Sequence, residues 1–149
     1  MKDWVKKEVN LHDLSEIIEI HGKYPLQRMN SFFKHADALL VTLSNKKLFS
    51  MTIPGKIQTY LAAGIPIIGM INGEAANLLI EAKAGKVCNA EDYQNLADII
   101  ESLSKENKSI LMRYGENGKK FCLKFFNKNN LINKLNFLLL STSKKNKYK

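Results

Sequence analysis

Residues 52–74 read TIPGKIQTYLAAGIPIIGMINGE, and the punctuation of this stretch decides how the chain folds. Pro54 suits the first turn of a helix, where its missing N–H costs nothing and its fixed φ is already helical. Gly64 supplies a stop after Ala63. The aliphatic run that follows, 66–71, has the length and composition of a buried strand. The stretch therefore predicts a helix over 54–63 that feeds directly into a strand.

The same alternation continues in both directions. Upstream, ALLVTL (38–43) is an unbroken apolar run, which predicts a strand covered on both faces. Before it, PLQRMNSFFKH (25–35) places Leu26, Met29, Phe32 and Phe33 at helical spacing, EIIEIH (16–21) reads as a strand ended by Gly22, and 3–11 suits a helix. Downstream, helices are predicted over 74–83 and 92–103 with a strand over 86–89 between them. Residues 108–140 read as helical, with breaks near 115–118 and 127–130, and 141–149 as a lysine-rich disordered tail. Residues 44–52 read as a loop. Strands separated by helices, repeated about four times, predict an α/β domain over 1–140, built on a parallel sheet with helices on both faces. Ligands of such sheets bind beyond the carboxyl ends of the strands, here the loops 21–25, 43–54 and 71–74.

Composition bounds the partners. The chain has 149 residues, 45% of them hydrophobic and 25% charged, which is ordinary for a soluble domain. The formal charge is +9, yet Arg28 and Arg113 are the only arginines and asparagine is abundant. Readers of phosphates and bases favour arginine forks, so this lysine–asparagine pattern points to A+T-rich coding rather than to a nucleic-acid partner. Cys88 and Cys122 follow no metal spacing and are expected to be reduced thiols. There is no apolar run long enough to span a bilayer and no signal-peptide core near Met1, so the expected location is cytoplasmic.

The loop before Pro54 enters a helix N-terminus, where unpaired backbone N–H groups and the helix dipole favour an anion. Ser50, Thr52 and Gly55 are small or permissive enough for close approach, and Lys56 adds a full charge, so a diphosphate could lie there. Pro54 and Thr52 would equally start any helix. In HGKYP (21–25), Gly22 allows a tight turn and Tyr24 could stack on a planar ring; packing of Tyr24 on Pro25 is the plainer alternative. His21, at a strand end, reads as a satisfied surface or core histidine rather than a catalytic base, and His12 and His35 carry no partner pattern. No G-x-G-x-x-G, no G-x-x-x-x-G-K-[ST] and no G-x-S-x-G is present, and the three ligand-side loops hold no carboxylate pair, only the isolated Glu74.

Five segments in order, HGKYP, MNSFFKHADALLVTL, PGKIQTYLAAGIPIIG, NGEAANLLIEAKAGKV and AEDYQNLADII, resemble the second half of the donor-binding domain of GT-B glycosyltransferases of family 4. The likeness is to the WbuB/WcaI-like members, which build bacterial surface polysaccharides. It implies a Rossmann-like fold, a nucleotide-sugar donor (a UDP-sugar), and retaining transfer of a hexosyl or N-acetylhexosaminyl group, with no cofactor and no bound metal. It implies that His21, Gly22, Lys23 and Tyr24 pair with the base through backbone groups. Ser50, Met51, Thr52, Ile53, Pro54, Gly55 and Lys56 would face diphosphate and sugar. Two glutamates usual in the family would fall at Met51 and Thr59; neither is acidic here, so ribose contact passes to Thr59 or Gln58.

The family's glycine-rich first loop, its Arg/Lys pair and its acceptor domain would all precede Met1. The expectation is therefore a donor-binding fragment, from a split gene, a truncated reading frame or a degenerate copy, whose catalysis needs a separate chain. Two alternatives stay open: a remnant or protein-interaction module without donor binding, and a basic protein acting on nucleic acid or anionic lipid. For the last, Leu131, Ile132, Leu135, Leu138 and Leu139 form an apolar face beside C-terminal lysines, a pattern suited to peripheral contact with the inner face of the membrane. Packing of that face back onto protein is the plainer reading.

Overall fold

A computed structural model describes residues 2–145, which divide into two compact units between Phe32 and Phe33. The N-terminal unit opens with α1 (Lys2–Leu11), as the sequence predicts. The strand expected over 16–21 does not form. Asp13 takes a left-handed conformation, φ 53°. The N–H groups of Ile17 and Ile18 then donate to the Leu14 carbonyl at 3.0 and 2.8 Å. Those turns consume the donors that a sheet ladder would need, and EIIEIH lacks the clean alternation of a half-buried strand. The helix expected over 25–35 appears as a single 3-10 turn (Leu26–Arg28) that passes into α2 (Met29–Lys34).

The C-terminal unit holds the sheet. Strands β1 (Leu39–Thr42), β2 (Ile67–Met70) and β3 (Gly85–Cys88) lie parallel in the order β1-β2-β3, with Leu39 beside Ile67 and Ile67 beside Gly85. The α/β class and the parallel sheet follow the sequence reading, with three strands where about four repeats were expected. A one-turn helix, α3 (Lys47–Ser50), interrupts the predicted loop, and α4 (Gly55–Ala63) takes Pro54 as its N-cap rather than as its first residue. Gly64, at φ 73°, ends α4 in the left-handed conformation that glycine adopts without strain. Helix α5 (Glu74–Ala82) crosses from β2 to β3, and α6 (Tyr93–Ser104) follows, started by Asp92, whose carboxylate accepts from the Asn95 N–H at 3.1 Å. Long helices α7 (Lys108–Phe125) and α8 (Lys128–Lys145) complete the unit.

Both crossovers step the same way along the sheet. Right-handed connection therefore puts α4 and α5 on one face. Val41, Ile57, Leu61, Ile67, Ile71 and Leu79 form the centre of the core and are at most 1% exposed. Burying one such aliphatic side chain contributes about 1.5–3 kcal/mol. On the opposite face α6 packs on β2 and β3. The β1 side of that face is more open: β1 alternates buried and exposed residues, and Leu40 is 47% exposed. This corrects the expectation of a strand covered on both faces.

The break predicted near 115–118 is also corrected, because α7 runs through it. Gly115 and Gly118 are buried there as contact points. A Cβ on Gly115 would lie 2.0 Å from the Gly64 carbonyl oxygen, and one on Gly118 would lie 3.2 Å from the Leu61 side chain. Two glycines one turn apart let α7 approach α4 closely enough to bury Leu61. The second predicted break holds: Phe126 caps α7 and α8 starts at Lys128. Residues 141–145 of the expected tail continue α8, and 146–149 lie outside the described residues.

Candidate functional site

The loops beyond the carboxyl ends of the three strands are tied to one another by one side chain. Asn72, just after β2, donates through Nδ2 to Asn45 Oδ1 at 3.0 Å and accepts from the Ala90 N–H at 3.1 Å. The Asn45 N–H donates in turn to Glu91 Oε1 at 3.0 Å. One amide thus links the loops after β1, β2 and β3. Gly73, at φ 72° and ψ −142°, adds a second tie. A Cβ there would lie 2.0 Å from the Ser50 carbonyl oxygen, so only glycine lets the end of α3 rest against the start of α5. The sequence reading marked 71–74 as a ligand-side loop but gave Asn72 and Gly73 no role. The signal available was an Asn-Gly pair directly after a buried strand.

Of the residues that the sequence singled out, Ser50 meets this frame through Gly73, and those from Met51 to Thr59 follow it along the chain into α4. Pro54, at φ −60° and ψ 136°, starts α4 with no side chain capping it. The Ile57 N–H goes to the Pro54 carbonyl at 2.9 Å, and the Gly55 and Lys56 N–H groups precede any bond within the helix. Gly55 faces open space: a Cβ on it would meet nothing within 4 Å. Lys56 and Gln58 are exposed, as are Met51 and Ile53. The hydroxyls are engaged locally. Ser50 Oγ donates to the Lys47 carbonyl at 2.8 Å, Thr52 Oγ1 to that of Phe49 at 3.2 Å, and Thr59 Oγ1 to that of Gly55 at 3.4 Å. Each keeps lone pairs free to accept, but as a donor it would have to exchange its present partner.

Beside the Asn72 loop lies an open depression of about 500 Å³ lined by Asn72, Gly73, Asn77, Cys88, Asn89 and Asn95 among others. Its amides offer donors and acceptors without charge. The Cys88 thiol is pushed up, chiefly by burial and further by the negative charge of Asp92, and burial pushes up Cys122 too. Neither has the lowered pKa of a reactive thiolate. Asp92 is held below the usual carboxylate range by the hydrogen bond from the Asn95 side chain and then by that from its backbone.

His21, Gly22, Lys23 and Tyr24 belong to the N-terminal unit, where they form an exposed irregular segment. Tyr24 is part of an aromatic cluster, its ring centroid 4.9 Å from Phe32 and 5.8 Å from His21, with the Arg28 guanidinium carbon 5.3 Å from its centre. Its partners in the fold are thus Phe32 and Arg28, and His21 Nε2 lies 3.3 Å from Glu19.

The family described as glycosyl transferases group 1 matches the chain over residues 1–121. The chain belongs to the group 1 glycosyl transferases. Glycosyl transfer is the class of activity that this membership carries. No curated protein and no solved structure matches it. The match to the group 1 glycosyl transferases takes in the Asn72 frame, the start of α4 and the Tyr24 cluster, and it ends within α7, before α8 begins.

Proposed function

We propose that this group 1 glycosyl transferase recognises a nucleotide-sugar, a UDP-sugar, at the start of α4, for retaining hexosyl or N-acetylhexosaminyl transfer in the synthesis of a bacterial surface polysaccharide. The observation that carries the reading is the head of α4: uncapped by any side chain, open above Gly55, and followed by exposed Lys56. Backbone N–H groups of Gly55 and Lys56 would bind the diphosphate, and the Lys56 ammonium with the helix dipole would stabilise charge on the departing nucleotide. Gln58 and Thr59, one turn further on, would reach the ribose. For His21–Tyr24, in the N-terminal unit by itself, the family resemblance suggests backbone pairing with a base.

The test is a titration of UDP and UDP-sugars into the full chain, read by ligand-detected NMR. Saturable binding that weakens about ten-fold or more in Lys56→Ala supports the reading, the size expected for one charge-assisted contact. Absence of binding to every uridine nucleotide overturns it. A second reading, a protein without donor binding, draws on Met51 and Thr59, which leave this helix without a carboxylate for sugar or ribose. The same titration separates the two.

A further inference from the structure

Two adjoining depressions of about 270 and 310 Å³ lie between α5 and the end of α7. Together they reach the size of small-molecule sites, about 300–1,000 Å³. Glu74, Asn77 and Glu81 of α5 line the first, together with Ile53 and with Phe121 and Phe125 of α7. Glu81, Phe121 and Phe125 are shared with the second, which Lys83, Lys120 and Lys124 also line. Ile53 directly precedes Pro54, so the first depression lies beside the start of α4.

The lining joins two kinds of surface. The rings of Phe121 and Phe125 stand 4.5 Å apart between centres, the first half-buried and the second exposed. Glu74, Asn77 and Glu81 are exposed beside them. Among the described residues neither carboxylate takes part in an ion pair. Glu81 follows Glu74 by seven positions, which is about 10 Å along a helix axis. That spacing is too wide to converge on one small cation. It suits a sugar ring, which carries hydroxyl groups at both of its edges.

The occupant has to bring hydrogen-bond donors for the carboxylates and C–H groups for the rings. An organic cation is disfavoured, because the Lys124 ammonium already lies 4.9 Å from the centre of the Phe125 ring and Lys83 and Lys120 line the adjoining space. An apolar protein surface would strip water from Glu74, Asn77 and Glu81 and return no hydrogen bonds. A basic one would meet the lysines, and an acidic one the glutamates. A neutral sugar has donors and C–H faces on one ring, and the chain belongs to the group 1 glycosyl transferases. We propose that the depression between α5 and α7 binds a sugar ring, whose hydroxyls donate to Glu74 and Glu81 while a C–H face lies on Phe125. That sugar is carried either by the donor or by the acceptor, and the recognising chemistry is the same. The inference rests on the class of activity and not on the anion seat at α4.

The experiment is saturation-transfer NMR on the full chain with UDP, UDP-glucose, UDP-N-acetylglucosamine and the methyl glycosides of the same two sugars. Signal at the sugar ring protons is expected, with affinity falling about ten-fold or more in Glu74→Ala/Glu81→Ala and about five-fold in Phe125→Ala. The melting temperature should be unchanged in the glutamate variant, since both side chains are exposed. Ring-proton signal from the free glycosides supports the proposal and assigns the acceptor's sugar; signal from the UDP-sugars alone supports it and assigns the donor's. No ring-proton signal in any arm overturns it, as does signal that survives both variants. UDP binding without ring-proton signal overturns this proposal and leaves the α4 reading standing, whereas glycoside binding without UDP binding does the reverse. Tighter binding of tetramethylammonium than of the glycosides assigns an organic cation and also overturns it.

Discussion

Gly55 and Gly73 are glycines for different reasons, and one substitution at each tells them apart. Gly55 has empty space where a side chain would be and needs no left-handed backbone. Gly55→Ala should leave stability unchanged or slightly raised, since alanine is the better helix residue, while weakening any ligand that rests on that backbone. Gly73 combines φ 72° with the carbonyl of Ser50 in the place of a Cβ. Gly73→Ala should cost about 2–3 kcal/mol in urea unfolding, because both the backbone strain and the collision must be relieved. Equal stability losses in the two variants would contradict this division. The Pro54–Gly55–Lys56 signal was legible because helix starts have strong local chemistry. Asn72 was not, because its worth lies in partners at Asn45 and Ala90 that are distant in sequence.

At the scale of elements, local pattern succeeded where packing and propensity agree. The aliphatic runs that became β1 and β2 and the helices between the strands were all legible, since buried parallel strands announce themselves by composition. Two of the departures share a cause. A glycine pair reads as a break, and an isoleucine-rich hexamer reads as a strand, until a tertiary neighbour is known. A helical residue at 115 is glycine because a Cβ there would collide with the backbone of Gly64, and 16–21 is irregular because no strand pairs with it and the Leu14 carbonyl captures the amides of Ile17 and Ile18. The prediction here is that Gly115→Ala destabilises by about 1–3 kcal/mol despite alanine's higher helix propensity. Gly118→Ala should cost less, since the nearest atoms to a Cβ there belong to side chains at 3.2 and 3.3 Å. Thermal unfolding of the two variants checks the order, and a stabilised Gly115→Ala would refute the close-contact account.

For the whole molecule the open question is one of edges. In the order β1-β2-β3, β1 has a neighbour on one side within the sheet. Leu39 and Leu43 donate to the β2 side, at Pro66 and Met70, so in a parallel ladder the alternate N–H groups of Leu40 and Thr42 point outward. Amide exchange followed by NMR should find Leu40 and Thr42 fast and Val41 slow; protection of all three alike would mean that another strand covers this edge. The contact between Gly115 and Gly64 has a further consequence. It grips the far end of α4, a rod of nine residues and thus about 14 Å long, whose other end is the proposed anion seat. The hold does not stop there: Leu61 meets Gly118, Cys122 Sγ lies 3.9 Å from the Gln58 carbonyl, and Ile57 is fully buried. The rod is clamped along its length, so a change in α7 would carry the head of α4 with it as a rigid body, and the grip on a donor would register the packing of a neighbouring helix.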